Sequence, residues 1–179
     1  MTMMPTPPEP AADAAGATPE LVRGEYRLST DIACFDVDAI HAALASSYWS
    51  PGIPRDVVER ALRHSLGFGL FHRDAQIGLA RVVTDRATFA YLSDVYILEA
   101  HRGRGLARWM LEVILGHPAL QGLRRFMLAT ADAHGLYARF GFRPLAAPAR
   151  MMEVLRPDAY APAARVLRDD GDEHRTSSP

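Results

Sequence analysis

The stretch Arg102-Gly103-Arg104-Gly105-Leu106-Ala107 constrains this chain more than any other. It follows the apolar run Phe89 to Leu98 and precedes a segment, Leu106 to Leu115, whose apolar residues recur at helical steps. Strand, glycine-rich turn and helix in that order make a site for phosphates. The first turn of a helix carries unpaired N–H groups and the positive end of the dipole, so an anion settles there if side chains leave room. Gly103 and Gly105 leave room, and Arg102 and Arg104 place guanidinium groups beside the phosphate oxygens.

Three phosphate-binding patterns compete for this turn. A dinucleotide fingerprint needs a third glycine where Arg108 stands, and an acidic residue about twenty positions on, where the chain has Gln121, Arg124 and Arg125. A P-loop needs Lys and then Ser or Thr after its last glycine, where Leu106 and Ala107 stand. The remaining spacing, Arg-x-x-Gly-x-Ala, resembles the acyl-CoA pyrophosphate loop of the GNAT superfamily of N-acyltransferases. A second segment, Leu136-Tyr137-Ala138-Arg139-Phe140-Gly141-Phe142, strengthens the resemblance. Ala133, Leu136, Tyr137 and Phe140 share one helical face, and Gly141 suits the left-handed residue that ends a helix. It is similar to the tyrosine-bearing helix and GF turn found late in GNAT domains. The resemblance covers roughly residues 25 to 156.

The order of elements agrees with it. Glu25 to Ser29 reads as a strand, and Asp36 or Asp38 caps a helix with Val37, Ile40 and Leu44 on its apolar side. A turn at residues 48–52 follows, and Pro54 opens a second helix that runs to His64. Leu66, Phe68 and Leu70 alternate as a strand that turns at residues 72–75 into Gln76 to Thr84, and Phe89 to Leu98 is a fourth, central strand. After the loop and its helix, Arg125 to Ala129 is a strand, the late helix follows, and Phe142 to Val154 supplies one or two strands more. The expected fold is α/β (α+β) with a mixed central sheet of six to seven strands, about four flanking helices and a splayed gap for pantetheine. Residues 1–23 and 161–179 are too poor in large apolar residues to order themselves and are expected to be disordered tails around a domain at 24–160.

With 179 residues, of which 49% are hydrophobic, the chain can bury a real core, and its formal charge of -1 argues against binding nucleic acid electrostatically. Its single cysteine, Cys34, excludes an internal disulfide and reads as a core residue. The seven histidines show no metal-ligand spacing, so no metal is expected. No leader or membrane-length apolar stretch is evident, which suggests a cytoplasmic protein without membrane partners, monomeric or homodimeric.

The resemblance implies acetyl-CoA as co-substrate. Its pyrophosphate would lie on residues Arg102, Gly103, Arg104, Gly105, Leu106 and Ala107, and its pantetheine arm along the main chain of Val95, Tyr96 and Ile97, with the thioester near Asp94. Transfer to an amine needs an acid for the leaving thiolate and a base for the nucleophile. Tyr137 matches the family's tyrosine and would be the acid; the alternative is a packed helix tyrosine. Asp94, a carboxylate interrupting an apolar strand, reads either as the base or as a structural carboxylate paired with an arginine or a backbone amide. His134, three residues before Tyr137, reads as a proton relay or as a surface or packing histidine. Relatives often carry an asparagine seven residues before the tyrosine, and Thr130 stands there. Tyr48 and Trp49 in the loop at 46–54 are candidates to line an acceptor pocket for a small primary amine; the alternative is a packed turn. Protein lysines or N-termini are the alternative acceptors, and a non-catalytic acyl-CoA sensor is the alternative function.

Overall fold

The computed structural model describes residues 20–160; the expected tails at 1–19 and 161–179 lie outside the described residues. Six strands form one sheet in sequence order. They are β1 (Leu21–Arg23), β2 (Tyr26–Ser29), β3 (Leu66–His72), β4 (Ala75–Thr84), β5 (Phe89–Ile97) and β6 (Arg125–Leu128). β1 to β5 pair antiparallel and β5 pairs parallel with β6. The helices are α1 (Val37–Ala45), α2 (Arg55–Arg63), α3 (Leu106–Gly116) and α4 (His134–Ala138). The mixed sheet with four helices is the expected α/β architecture.

Local chemistry sets the helix ends. The Asp36 side chain accepts from the Ala39 N–H at 2.9 Å and caps α1, as one of the two aspartates was expected to. Pro54 precedes the first residue of α2, where its missing N–H costs nothing. Gly141, at φ 86°, ends the turn after α4.

Each face of the sheet buries its own core. On one, Phe35, Ile40, Leu44, Ile53, Val58 and Leu62 from the α1–α2 layer close over Phe71 and Leu79, with Cys34 half-buried beside them. On the other, Leu106, Met110, Leu111 and Ile114 of α3 pack with Tyr137 of α4 on Phe68, Leu70, Val82 and Leu92. Burial of this order is the main stabilising term, at roughly 25 cal/mol per Å² of apolar surface.

Three expectations are corrected. Leu21–Arg23, assigned to the N-terminal tail, is strand β1 and pairs with β2 through Leu21 opposite Leu28. The segment 142–154 forms no strand: Pro144 and Pro148 lack the donors a ladder needs, and a single 3-10 turn, Pro148–Arg150, interrupts it. Six strands are therefore reached by one more at the N-terminal edge and none after α4. That helix is also shorter than its periodicity suggests, ending at Ala138 rather than Phe140.

Candidate functional site

The parallel ladder between β5 and β6 runs only from Phe89 opposite Arg125 to Leu92 opposite Leu128. β5 continues to Ile97 without β6, so the sheet parts beyond Leu92. The Leu98 N–H donates to the Ile77 carbonyl of β4 at 2.8 Å. Main-chain groups alternate sides along a strand, so those of Tyr96 face β4 while those of Val95 and Ile97 face the parted side. Of the three residues expected along pantetheine, Tyr96 therefore turns its amide inward. The Ile97 carbonyl is taken as well, by Arg102 Nε at 2.9 Å.

The loop after β5 has the expected shape. Gly103 and Gly105 both lie at φ 74°, and a Cβ on either would meet nothing within 4 Å. The first bond into α3 runs from the Trp109 N–H to the Gly105 carbonyl at 3.0 Å, so the N–H groups ahead of it face outward from the helix end. Arg102 and Arg104 are exposed; Arg102 is anchored through Nε, which leaves its two Nη groups as further donors, and Leu106 and Ala107 are drawn into the core contacts of α3. Beside the loop, His72, His101, Arg104 and Tyr26 line a cavity of about 450 Å³. Burial, then the neighbouring His72 and Arg104, holds the His101 imidazole below its usual pKa, which disfavours its charged form.

On the far side of the parted strands, Tyr137 is buried and packs edge-on against Phe142, centroids 5.9 Å apart. Burial raises its phenol above the usual value, with Tyr48 and Asp132 adding to the effect, so the hydroxyl keeps its proton at neutral pH. His134 is exposed at the start of α4. Thr130, at the departure from the family pattern, accepts from the Ala133 N–H at 3.0 Å and helps open α4.

Asp94 lies in the left-handed region, φ 55°, opposite a register shift between Leu79 and Arg81. Its Oδ2 accepts from Arg81 Nε at 2.6 Å and its Oδ1 from the Ser93 hydroxyl at 3.1 Å. The arginine partner foreseen for a structural carboxylate is thus present. The same pair also lines a cavity of about 290 Å³ with Trp49, Ile53, Val57, Tyr91 and Tyr160. Trp49 and Asp94 thus line one cavity. Tyr48 is not among the lining residues: it stands edge-on to Trp49, and its hydroxyl accepts from the Ala131 N–H at 3.3 Å, tying the 46–54 loop across the parting to the segment before α4. Arg81 and Tyr160 were missed. Arg81 interrupts apolar β4 as Asp94 interrupts β5, a signal that cross-strand pairing would have read. Among the described residues no cluster of three His, Cys, Asp or Glu is gathered and no helix is long and apolar enough to cross a membrane.

A sheet parted beside a glycine-lined helix end, with a buried tyrosine across the parting, defines an acyl-CoA-dependent acyltransferase class. The sequence model of the Acetyltransferase (GNAT) family matches residues 36–142. A solved protein from Xanthomonas campestris pv. campestris, described as belonging to the GNAT family, is 48% identical with a TM-score of 0.75, covering 76% of this chain and 97% of its own. A curated protein of Gibberella zeae, named "Putative acetyltransferase FG08082", is 42% identical over 140 residues, 65% of this chain and 78% of that protein. A Clostridium acetobutylicum protein, predicted to be an acetyltransferase and solved with acetyl-CoA, shares the fold at 16% identity and a TM-score of 0.54 over 73% of this chain and 94% of that one. The chain belongs to the GNAT family and is an acetyltransferase.

Proposed function

We propose that the protein moves an acetyl group from acetyl-CoA to the primary amine of a small molecule by direct attack within a ternary complex. The observation that carries this reading is the parting of β5 from β6, with the glycine loop at one end and the cavity of Trp49 and Asp94 opening on the α1–α2 face. The outward N–H groups from Gly103 to Ala107, with Arg102 and Arg104, suit a pyrophosphate because nothing fills the space that a Cβ would take at Gly103 and Gly105. Val95, and Ile97 through its N–H, offer main-chain groups on the parted edge to the pantetheine amides, as an added strand would use them. Bound there, acetyl-CoA supplies an activated acyl carbon.

The chain's residues then handle protons and position. Trp49 and the apolar lining hold the acceptor's carbon skeleton, and Asp94, fixed by Arg81 and Ser93, accepts the amine proton directly or through a water. A C–N bond forms, the C–S bond breaks, and the electron pair left on sulfur takes the Tyr137 proton. Tyr137 recovers its proton from solvent, and the amine proton leaves by way of Asp94. The test is a screen of amines for CoA release, with intact proteins as a separate arm. Turnover of small amines is expected; acetylation of intact proteins alone would overturn the small-molecule reading.

A further inference from the structure

We propose that the acceptor is a zwitterion, an α-amino acid with an apolar side chain, whose carboxylate meets Arg81 and whose amine meets Asp94. This rests on the reading that the 290 Å³ cavity receives the acceptor. Arg81 and Asp94 are the two charged residues lining it among the described residues, and the rest are apolar, aromatic or serine. Both are well buried, with 16% and 12% of their side chains exposed, and their Nε–Oδ2 contact is 2.6 Å. The cavity therefore offers one positive and one negative group side by side on an apolar floor.

A plain alkylammonium entering it gains Asp94 but faces the Arg81 guanidinium, and brings an uncompensated charge into a neutral pocket. A zwitterion matches both groups. Arg81 has donors to spare: Nε and Nη2 bond Asp94 and Ser93, while Nη1 donates to no described residue. A guanidinium fork suits a carboxylate better than any other side-chain cation. On the ligand's other side, Asp94 keeps further acceptor capacity on each oxygen. For stability alone, an apolar pair would serve as well as this buried ion pair. The β5 backbone, moreover, adopts the left-handed conformation at Asp94 beside a bulge, the kind of local strain that gathers at ligand sites. Beyond the charges, Trp49, Ile53, Val57, Leu62 and Tyr160 receive the side chain.

The experiment compares matched acceptors on the full chain: leucine, methionine and phenylalanine against isoamylamine, 3-(methylthio)propylamine and phenethylamine, which lack only the carboxylate. The amino acids are expected to exceed their amines in kcat/KM by about tenfold or more, the scale of a lost charge-assisted contact. Arg81→Gln is expected to collapse that ratio toward one. If the variant does not fold, the methyl esters of the same amino acids on the unaltered enzyme decide the point, because they keep amine and side chain and lose the negative charge; they too are expected to be about tenfold poorer. Amines or esters turned over as well as the amino acids would overturn the zwitterion proposal and leave the amine acetyltransferase reading standing. CoA release from none of the small amines in the wider screen would overturn both.

Discussion

Tyr137 shows how a single residue draws its chemistry from its surroundings. A tyrosine on an exposed helix would titrate near its ordinary value, but this one is buried against Phe142, and burial disfavours the phenolate. The folded protein thus holds a proton donor beside the parted strands throughout the neutral range. Because the shift is upward, the donor form persists to at least the usual tyrosine pKa near 10, and any loss of kcat from its ionisation falls above that pH. Tyr137→Phe keeps the ring and removes the proton. We expect kcat to fall by about 10² to 10⁴ with acetyl-CoA affinity unchanged, and the deficit to be constant from pH 7 to 9. Steady-state CoA release at several pH values checks this, and full activity in the variant would return Tyr137 to a packing role.

At the scale of elements, the loop between β5 and α3 works because two backbone positions adopt a conformation that most side chains resist. Gly105 sits at φ 74° as the residue before α3, with open space where a Cβ would stand. A substitution there meets strain of about 1–2 kcal/mol rather than a clash, and it also occupies the space an anion needs. Two variants separate these effects: Gly105→Val suffers both, while Gly105→Asn tolerates the left-handed backbone and only fills the space. Calorimetry is expected to show the dissociation constant of acetyl-CoA rising about tenfold or more in both. Unchanged affinity in either would argue that pyrophosphate does not lie on this turn. Elements of this kind were legible because their signals are local: a capping Asp36, Pro54 at a helix start, Gly141 past a helix end, and glycines between an apolar strand and an apolar helical face. The segment 142–154 misled because its apolar residues look strand-like one by one, whereas sheet membership depends on a free ladder and on donors that Pro144 and Pro148 lack. Arg81 stayed invisible beside Asp94 for a related reason. Their contact depends on the register of β4 against β5, which no single strand encodes.

For the whole molecule, the question is what holds the α1–α2 layer, with Trp49 in the loop between its helices, at a fixed height over the sheet. Phe35 does so from the turn before α1. Its ring lies over the two glycines of β3, so close that a Cβ built on Gly67 would come within 2.5 Å of Phe35 Cε2 and one on Gly69 within 2.6 Å of Phe35 Cε1. The next residue is pinned too: the Asp36 N–H donates to the buried Gln76 Oε1 at 2.8 Å. The glycines in β3 therefore lower the floor on which Phe35 rests, and the height of the 46–54 loop follows from that contact. Gly69→Ala must lift the ring, an overpacking that costs about 1–3 kcal/mol. Since the glycine loop and α3 belong to the opposite layer, the change should raise the acceptor KM while leaving acetyl-CoA affinity intact. Phe35→Leu frees the volume over Gly69 and is itself destabilising through lost burial. Combined, the two should destabilise by less than the sum of the single variants, with a coupling of about 0.5–3 kcal/mol in denaturant unfolding. Additive losses, or an acetyl-CoA affinity that falls together with the acceptor KM effect, would show that Phe35 does not set the height of this layer.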